Sequence, residues 1–364
     1  MKIVHLTWGL GVGGAEVLLR DIAGIQAAGN ETWVVVANAD VDTSVRQALD
    51  PRVRLETLGR PPGSRNPWYL FRLVALLRRI KPDVIHAHQA SFARLRGLVP
   101  SPLLLTVHNT RLPLSGRLDA FRSICCISEA VRHDVESRFP GLVLRVIYNG
   151  IPFAAVKPKA RYGGTPFRIV QISRLAHAQK GQDLLIRALR LVLDRLGDAA
   201  ASVDFIGEGE SLDYLRGLAA DQGVESHCRF LGGMTRQRIY EELQGYDLLV
   251  QPSRYEGFGL TVIEAIAACV PVLVADIEGP MEIIDGGRLG ASFRSEDVAD
   301  LARGLIGMIT LSLQPEFPAQ MRARTVQAAA RFDVARTAQA YLDEYARLTS
   351  VADVMPAETS RSSR

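Results

Sequence analysis

Short runs of Val, Ile and Leu recur along the chain between longer stretches of helical period, and this alternation restricts the fold more than any other feature. Strands are expected at residues 2–7, 32–37, 84–87, 103–107, 123–127 and 144–147. A second series is expected at 167–172, 201–206, 228–231, 248–251 and 272–275. Several are continuous apolar runs rather than alternating ones, the pattern of strands covered by helices on both faces. Strands alternating with helices imply parallel βαβ units, and hence doubly wound α/β sheets. Between the two series, residues 153–166 carry Pro158, Gly163, Gly164 and Pro166 without helical period, so they read as a linker. Two α/β domains are therefore expected, residues 1–152 and 167–334, with ligands beyond the carboxyl ends of their strands in a cleft between them.

Composition narrows the function. The 364 residues exceed one typical domain, and 48% hydrophobic with 23% charged residues describes a globular protein with a real core. A net charge of +4 suits anionic ligands but lacks the dense basic patches of a nucleic-acid binder, and no aromatic stacking platform is visible. Cys125, Cys126, Cys228 and Cys269 form no C-x-x-C pair and are expected to be buried, reduced thiols. The apolar run at the N-terminus is too short for a secretory signal, and no segment approaches the ~20 apolar residues of a membrane span. A cytoplasmic protein is expected. The last residues, 351–364, are rich in Ser and Arg and read as a mobile tail.

After the first strand, Gly9-Leu10-Gly11-Val12-Gly13-Gly14 matches G-x-G-x-x-G and precedes a helical pattern, which raises an NAD-dependent oxidoreductase as one reading. Glycines there let backbone N–H groups approach a phosphate. Three features oppose a dehydrogenase. Glu16 places a charge in the first turn after the glycines, Asp40 comes late for a ribose ligand, and no Tyr is followed four residues later by Lys. Asp40-Val41-Asp42 has the form of a D-x-D metal motif, but two carboxylates at that spacing are common in solvated turns, and no metal site is assigned.

Residues 251–265, Gln251-Pro252-Ser253-Arg254-Tyr255-Glu256-Gly257-Phe258-Gly259-Leu260-Thr261-Val262-Ile263-Glu264-Ala265, carry the chemistry. They follow an apolar strand and enter a helix near Gly259. Gly257 and Gly259 free the backbone so that the first helical N–H groups face an anion such as a diphosphate. Glu256 precedes the helix and Glu264 lies inside it. Carboxylates so near a phosphate site would repel it unless they accept hydrogen bonds from sugar or ribose hydroxyls.

This string resembles the E-x7-E signature of glycosyltransferase family 4, and the similarity extends over nearly the whole chain. The resemblance implies the GT-B fold, two Rossmann-like domains across a cleft with a C-terminal helix (335–350) returning to the first domain. It also implies sugar transfer with retention from a nucleotide-activated donor, UDP- or GDP-linked, without a metal or other resident cofactor. By the same resemblance Glu256 contacts donor-sugar hydroxyls, Glu264 holds the ribose, and Gly257, Phe258, Gly259 and Leu260 form the loop around the diphosphate. Arg174 and Lys180 match the family's cationic clamp on the leaving group, with one extra residue between them. Gly207 and Gly209 match a G-x-G turn near the base, and Gly13-Gly14 matches a glycine loop that approaches the diphosphate. His108, at a strand end, matches a histidine near the reacting centre, and His88 is a candidate on the acceptor side. The catalytic set expected is thus Glu256, Arg174, Lys180 and His108.

A nucleotide-sugar epimerase of the same fold is the other reading. The acceptor expected by analogy is a glycan or lipid-linked precursor of surface polysaccharide or lipopolysaccharide. From Asn66 a helix is expected, capped by Asn66 with Pro67 in its first turn. It is apolar nearly all round, which by itself says buried core. Exposed Trp68 and Phe71 beside Arg72 and Arg79 would instead suit weak contact with an anionic membrane surface.

Overall fold

The computed structural model describes residues 1–11, 13–112, 114 and 117–352, and the chain divides into two compact units. One holds residues 1–127 and 132–149 together with the chain from Val334 onward, and the other holds 128–131 and 150–333.

The first unit is built on a seven-stranded parallel sheet. Its strands are β1 (Lys2–Thr7), β2 (Glu31–Asn38), β3 (Arg54–Arg60), β4 (Val84–Ala87), β5 (Leu103–Val107), β6 (Ser123–Cys126) and β7 (Leu144–Val146). They lie in the order β3-β2-β1-β4-β5-β6-β7, so the winding reverses between β1 and β4. Alternation along the strands sends Ile3, Val84, Leu104 and Cys125 into one core, shared with Leu18 and Ile22 of helix Gly14–Gln26 and with Tyr341 and Tyr345 of helix Val334–Ala352. The last helix therefore returns to the first unit, as the resemblance implies. A second core on Val34, Val36, Leu19 and Ala23 completes the unit.

The second unit carries β8 (Phe167–Ile172), β9 (Ala201–Ile206), β10 (Cys228–Phe230), β11 (Leu248–Gln251), β12 (Val272–Ala275) and β13 (Ala291–Phe293). These are also parallel, in the order β10-β9-β8-β11-β12-β13, and the winding reverses between β8 and β11. Helix Gln182–Leu196 buries Leu185, Ile186, Leu189, Val192 and Leu193 in the core with Val203, Phe205 and Val250. Each such side chain contributes roughly 1.5–3 kcal/mol of transfer free energy. The helix stops at Gly197, whose φ of 91° only glycine adopts freely.

Two strands lie outside the sequence-based expectation, and both are sheet edges. In β3 Leu58 alone is fully buried, and β13 has three residues with one buried. The expected linker, 153–166, is held against the second unit: the Lys159 ammonium lies 3.0 Å from Asp247 Oδ1, and the Tyr162 hydroxyl donates to the Cys269 carbonyl at 2.7 Å. The last helix runs to Ala352, and the rest of the expected tail lies outside the described residues. All four cysteines are buried thiols outside any disulfide.

Candidate active site

In an open parallel sheet the connections leaving the strands at the point of reversal diverge and open a crevice. In the second unit those connections follow β8 and β11. They carry Arg174 and Lys180 on one side and Glu256 through Glu264 on the other.

The two sides meet at the expected residues. Lys180 Nζ donates to Glu256 Oε2 at 2.5 Å, and Gln251 Nε2 donates to the same oxygen at 3.2 Å. Lys180 is positioned from behind, because its carbonyl accepts from Gln171 Nε2 at 2.7 Å. The next residue, Gly181, turns the chain at φ 65°, and a Cβ there would lie 1.9 Å from the Pro252 carbonyl oxygen. No other residue permits that approach, so Gly181 is what brings Lys180 to the Glu256 loop. Arg254 locks the contact: its guanidinium grips Asp183 through two bonds of 2.9 Å and the His177 carbonyl at 2.7 Å. Arg174 is exposed, its Nη2 3.5 Å from Gln179 Oε1.

Gly259 caps helix Leu260–Ala267 with φ 116°, and a Cβ there would lie 2.8 Å from Gln251 Oε1. In the first turn the Val262 N–H donates to the Gly259 carbonyl at 3.0 Å, while an α-helix offers no partner of its own to the N–H groups of Leu260 and Thr261. Phe258 is buried against Phe332, ring centroids 5.9 Å apart, so its side chain belongs to the core and only its backbone is available to a ligand. Beneath Gly257 the backbone of Gly279 passes so close that a Cβ on it would stand 2.6 Å from the Glu256 carbonyl oxygen. Glu264 is 7% exposed, with Arg236 Nε 3.7 Å from its carboxylate.

Gly207 and Gly209 have a structural explanation of their own. Cβ atoms there would lie 2.0 Å from the Ser173 carbonyl oxygen and 2.4 Å from that of Leu175. The turn after β9 thus packs backbone to backbone on the segment carrying Arg174, and Leu175 N donates to the Glu208 carbonyl at 2.9 Å.

In the first unit, Gly13 caps helix Gly14–Gln26, and a Cβ on Gly13 would lie 2.4 Å from Glu16 Oε2. The Glu16 carboxylate thus lies over the glycine turn. Val12, between Gly11 and Gly13, lies outside the described residues. Asp42 caps helix Thr43–Gln47, accepting from Ser44 N at 2.8 Å and Val45 N at 3.2 Å. One oxygen of the D-x-D pair is thus engaged locally.

His108, beyond β5, joins a buried array. The parallel register sets His5 opposite His86, and His88 follows two residues later on the same face. His108 Nε2 lies 2.9 Å from His88 Nδ1, His88 Nε2 3.3 Å from His5 Nδ1, and His5 Nε2 2.8 Å from Gln26 Oε1. Burial lowers His5 and His108 to about 4, and holds His86 and His88 well below the ordinary range, so all four are neutral at neutral pH. His5, His86 and His88 would be close enough to share a cation. Yet both nitrogens of His86 are engaged, by the Tyr345 hydroxyl at 2.6 Å and Thr106 Oγ1 at 2.7 Å, so hydrogen bonding already accounts for the cluster. His88, expected on the acceptor side, is instead a buried link to His108.

The first unit also has a cavity of about 710 Å³ whose walls include Trp8, Leu70, Phe92, Arg60, Arg65 and Arg94 but no carboxylate among the described residues. Beside it, helix Trp68–Ile80 begins where Asn66 Oδ1 accepts from Trp68 N at 2.9 Å. The helix buries Leu73, Leu76, Leu77 and Ile80, while Trp68 and Phe71 are 59% and 66% exposed, on the face of Arg72 and Arg79.

Comparison with known proteins agrees with this arrangement. Residues 154–331 match the family described as "Glycosyl transferases group 1", and residues 12–154 match "Glycosyltransferase Family 4". A glycogen synthase of Mycobacterium tuberculosis is 30% identical over 300 residues, covering 73% of this chain and 70% of the relative. Among solved structures, Anabaena HepE in complex with UDP superposes with a TM-score of 0.78 at 22% identity, over 95% of this chain and all (100%) of that one. The lipopolysaccharide outer core galactosyltransferase WaaB superposes with a TM-score of 0.72 at 15% identity, over 97% of this chain and 100% of that one. These matches favour neither the oxidoreductase nor the epimerase. The chain is a transferase that belongs to the GT-B glycosyltransferases of the family 4 type.

Proposed function

We propose that this enzyme transfers a hexose, with retention, from a UDP- or GDP-sugar to a glycan or lipid-linked acceptor in surface polysaccharide or lipopolysaccharide assembly. The observation that carries the proposal is the Lys180–Glu256 contact of 2.5 Å beside the helix start at Gly259, where a diphosphate and a polyhydroxyl group find complementary partners side by side. Glu256 accepts hydroxyls of the donor sugar, and Glu264, with Arg236 beside it, accepts those of the ribose. Lys180, Arg174 and the backbone from Gly257 to Leu260 meet the diphosphate, where charge accumulates as it leaves. Gly207 and Gly209 shape the wall nearest the base. Gly13 and Gly14 are assigned to the diphosphate as well, which requires the Glu16 carboxylate to turn aside.

Retention then needs no protein nucleophile. The acceptor oxygen bonds to the anomeric carbon on the face the diphosphate is leaving, the bond from that carbon to the phosphate oxygen breaks, and the acceptor's proton passes to the departing phosphate. His108 orients the reacting sugar through a hydroxyl. Fixed cations stand at the leaving group, so activity is expected to survive EDTA.

Anabaena HepE was also crystallised with UDP-glucose, and WaaB acts on lipopolysaccharide core by its name, which supports this donor and acceptor class. No helix among the described residues is long and apolar enough to cross a membrane. The exposed Trp68 and Phe71 beside Arg72 and Arg79 support peripheral contact with an anionic leaflet, on the cytoplasmic side where nucleotide sugars are found. The carboxylate-free cavity with Arg60, Arg65 and Arg94 suits an acceptor that carries phosphate.

The test is incubation with UDP- and GDP-hexoses, with and without a lipid extract as acceptor. Nucleoside diphosphate released only with acceptor, and a product of unchanged anomeric configuration, are expected. Conversion of the donor without any acceptor would show an isomerase instead.

A further inference from the structure

A neutral imidazole carries one N–H donor and one lone-pair acceptor, so a row of hydrogen-bonded histidines has a direction. The row here starts at Gln26 Oε1, which can only accept. His5 Nε2, 2.8 Å away, therefore carries the proton, and His5 Nδ1 is an acceptor. His88 Nε2 must then donate to it at 3.3 Å, which leaves His88 Nδ1 as an acceptor. His108 Nε2 must in turn donate to His88 Nδ1 at 2.9 Å. What remains is His108 Nδ1, a buried lone pair with no partner among the described residues. Burial of such a group without a partner costs about 1–3 kcal/mol, and polar atoms left in that state call for an explanation.

We propose that Gln26, His5 and His88 are positioning residues whose hydrogen bonds hold His108 in the Nε2–H form, so that its Nδ1 lone pair accepts a substrate hydroxyl. The low proton affinity of all four rings keeps each of them a single donor and a single acceptor. A protonated ring would be a donor at both nitrogens and would reverse part of the row. The rigid sheet supports the geometry, since His5 sits within β1 and His88 and His108 directly follow β4 and β5. Ring stacking adds to it, with centroids 5.2 Å apart for His88 and His108 and 5.6 Å for His5 and His88. The functional part rests on the reading that His108 faces the reacting sugars; the tautomer does not.

Nitrogen NMR on the full chain, labelled at histidine nitrogens, tests the row directly. The expected result is a proton on His108 Nε2 with scalar coupling across the hydrogen bond to His88 Nδ1, and the same from His88 Nε2 to His5 Nδ1. A proton on His108 Nδ1, or couplings in the opposite sense, would overturn the proposal. Kinetics test its use. His88→Leu should lower kcat about tenfold, the worth of one hydrogen bond, with nucleotide affinity unchanged. His88→Gln, which keeps one donor and one acceptor, should restore most of the loss. Equal losses in the two variants would overturn the positioning role. If the couplings are found but His108→Ala keeps full turnover, the row stands and the assignment of His108 to the substrate falls.

Discussion

Glu256→Gln separates chemistry from binding more cleanly than any other single change. One oxygen of Glu256 takes hydrogen bonds from Lys180 Nζ at 2.5 Å and Gln251 Nε2 at 3.2 Å, which leaves its other oxygen for sugar hydroxyls. The amide keeps the volume and removes the charge. A hydrogen bond to an ionised acceptor is worth about 1.5–3 kcal/mol against about 1 for a neutral one. With two hydroxyls accepted in the transition state, the loss comes to about 3 kcal/mol, or about a hundredfold in turnover. Lys180 keeps its charge and is released toward the diphosphate, so nucleotide affinity should stay within about threefold, under 1 kcal/mol. The pair is 17% and 14% exposed, between the cases of an open and a closed ion pair, so folding stability should fall by about 1–2 kcal/mol. Initial rates of nucleoside diphosphate release, calorimetric titration with UDP and GDP, and a thermal unfolding curve measure the three quantities. Turnover near that of the wild type would remove Glu256 from the reaction. Turnover and nucleotide affinity falling together would place it at the nucleotide instead.

Arg174→Ala and Lys180→Ala should each lower kcat more than they raise KM, by about tenfold or more, because their charge matters most as the bond breaks; raised KM alone would make them ground-state binders. The buried histidines predict acid lability. Folded-state values of about 4 for His5 and His108 lie below the unfolded 6.5, so the unfolded chain binds more protons between those limits. Stability is fully present above pH 6.5 and is lost as pH falls toward 4, by up to about 3 kcal/mol for each histidine. Denaturant titrations at several pH values should show this, and a flat profile through that range would refute it. Anionic vesicles should retain the protein at low salt and release it at high salt, each arginine contributing roughly 1 kcal/mol. Trp68→Ser with Phe71→Ser should weaken that retention, and equal recovery with neutral and anionic vesicles would contradict the membrane reading.

The central strands could be read from the sequence because burial on both faces makes several of them continuous apolar runs, as in Val272–Ala275. Two of the four edge strands, β3 and β13, could not. Arg54–Arg60 pairs with one neighbour and exposes much of its length, so its composition resembles that of a loop. Around the candidate site, the Glu256 loop stood out because two glycines, two carboxylates and a strand end fall within fifteen residues. Its supports did not. Asp183 lies 71 positions before Arg254, and Arg236 lies 28 before Glu264, distances at which one sequence carries no pairing signal. Gly207 and Gly209 were visible as a motif, but the carbonyls of Ser173 and Leu175 that exclude any Cβ there appear only once β8 and β9 are paired. The histidine row was hidden for the same reason. Its members lie within β1 and just beyond β4 and β5, and only the register that sets His5 opposite His86 makes them neighbours.

Glu264 and Glu256 are proposed to hold a nucleotide sugar in the crevice between β8 and β11. A thermal-shift screen against UDP-, GDP-, ADP- and dTDP-sugars, free hexoses and NAD tests it most directly. At a hundredfold excess over Kd a ligand stabilises by about 2.7 kcal/mol, enough for a shift of a few degrees. A shift is expected with one class of nucleotide sugar and its nucleoside diphosphate, none with free hexose or NAD, and loss of both shifts in Glu264→Ala. A shift with NAD, or a nucleotide-sugar shift that survives in Glu264→Ala, would contradict it.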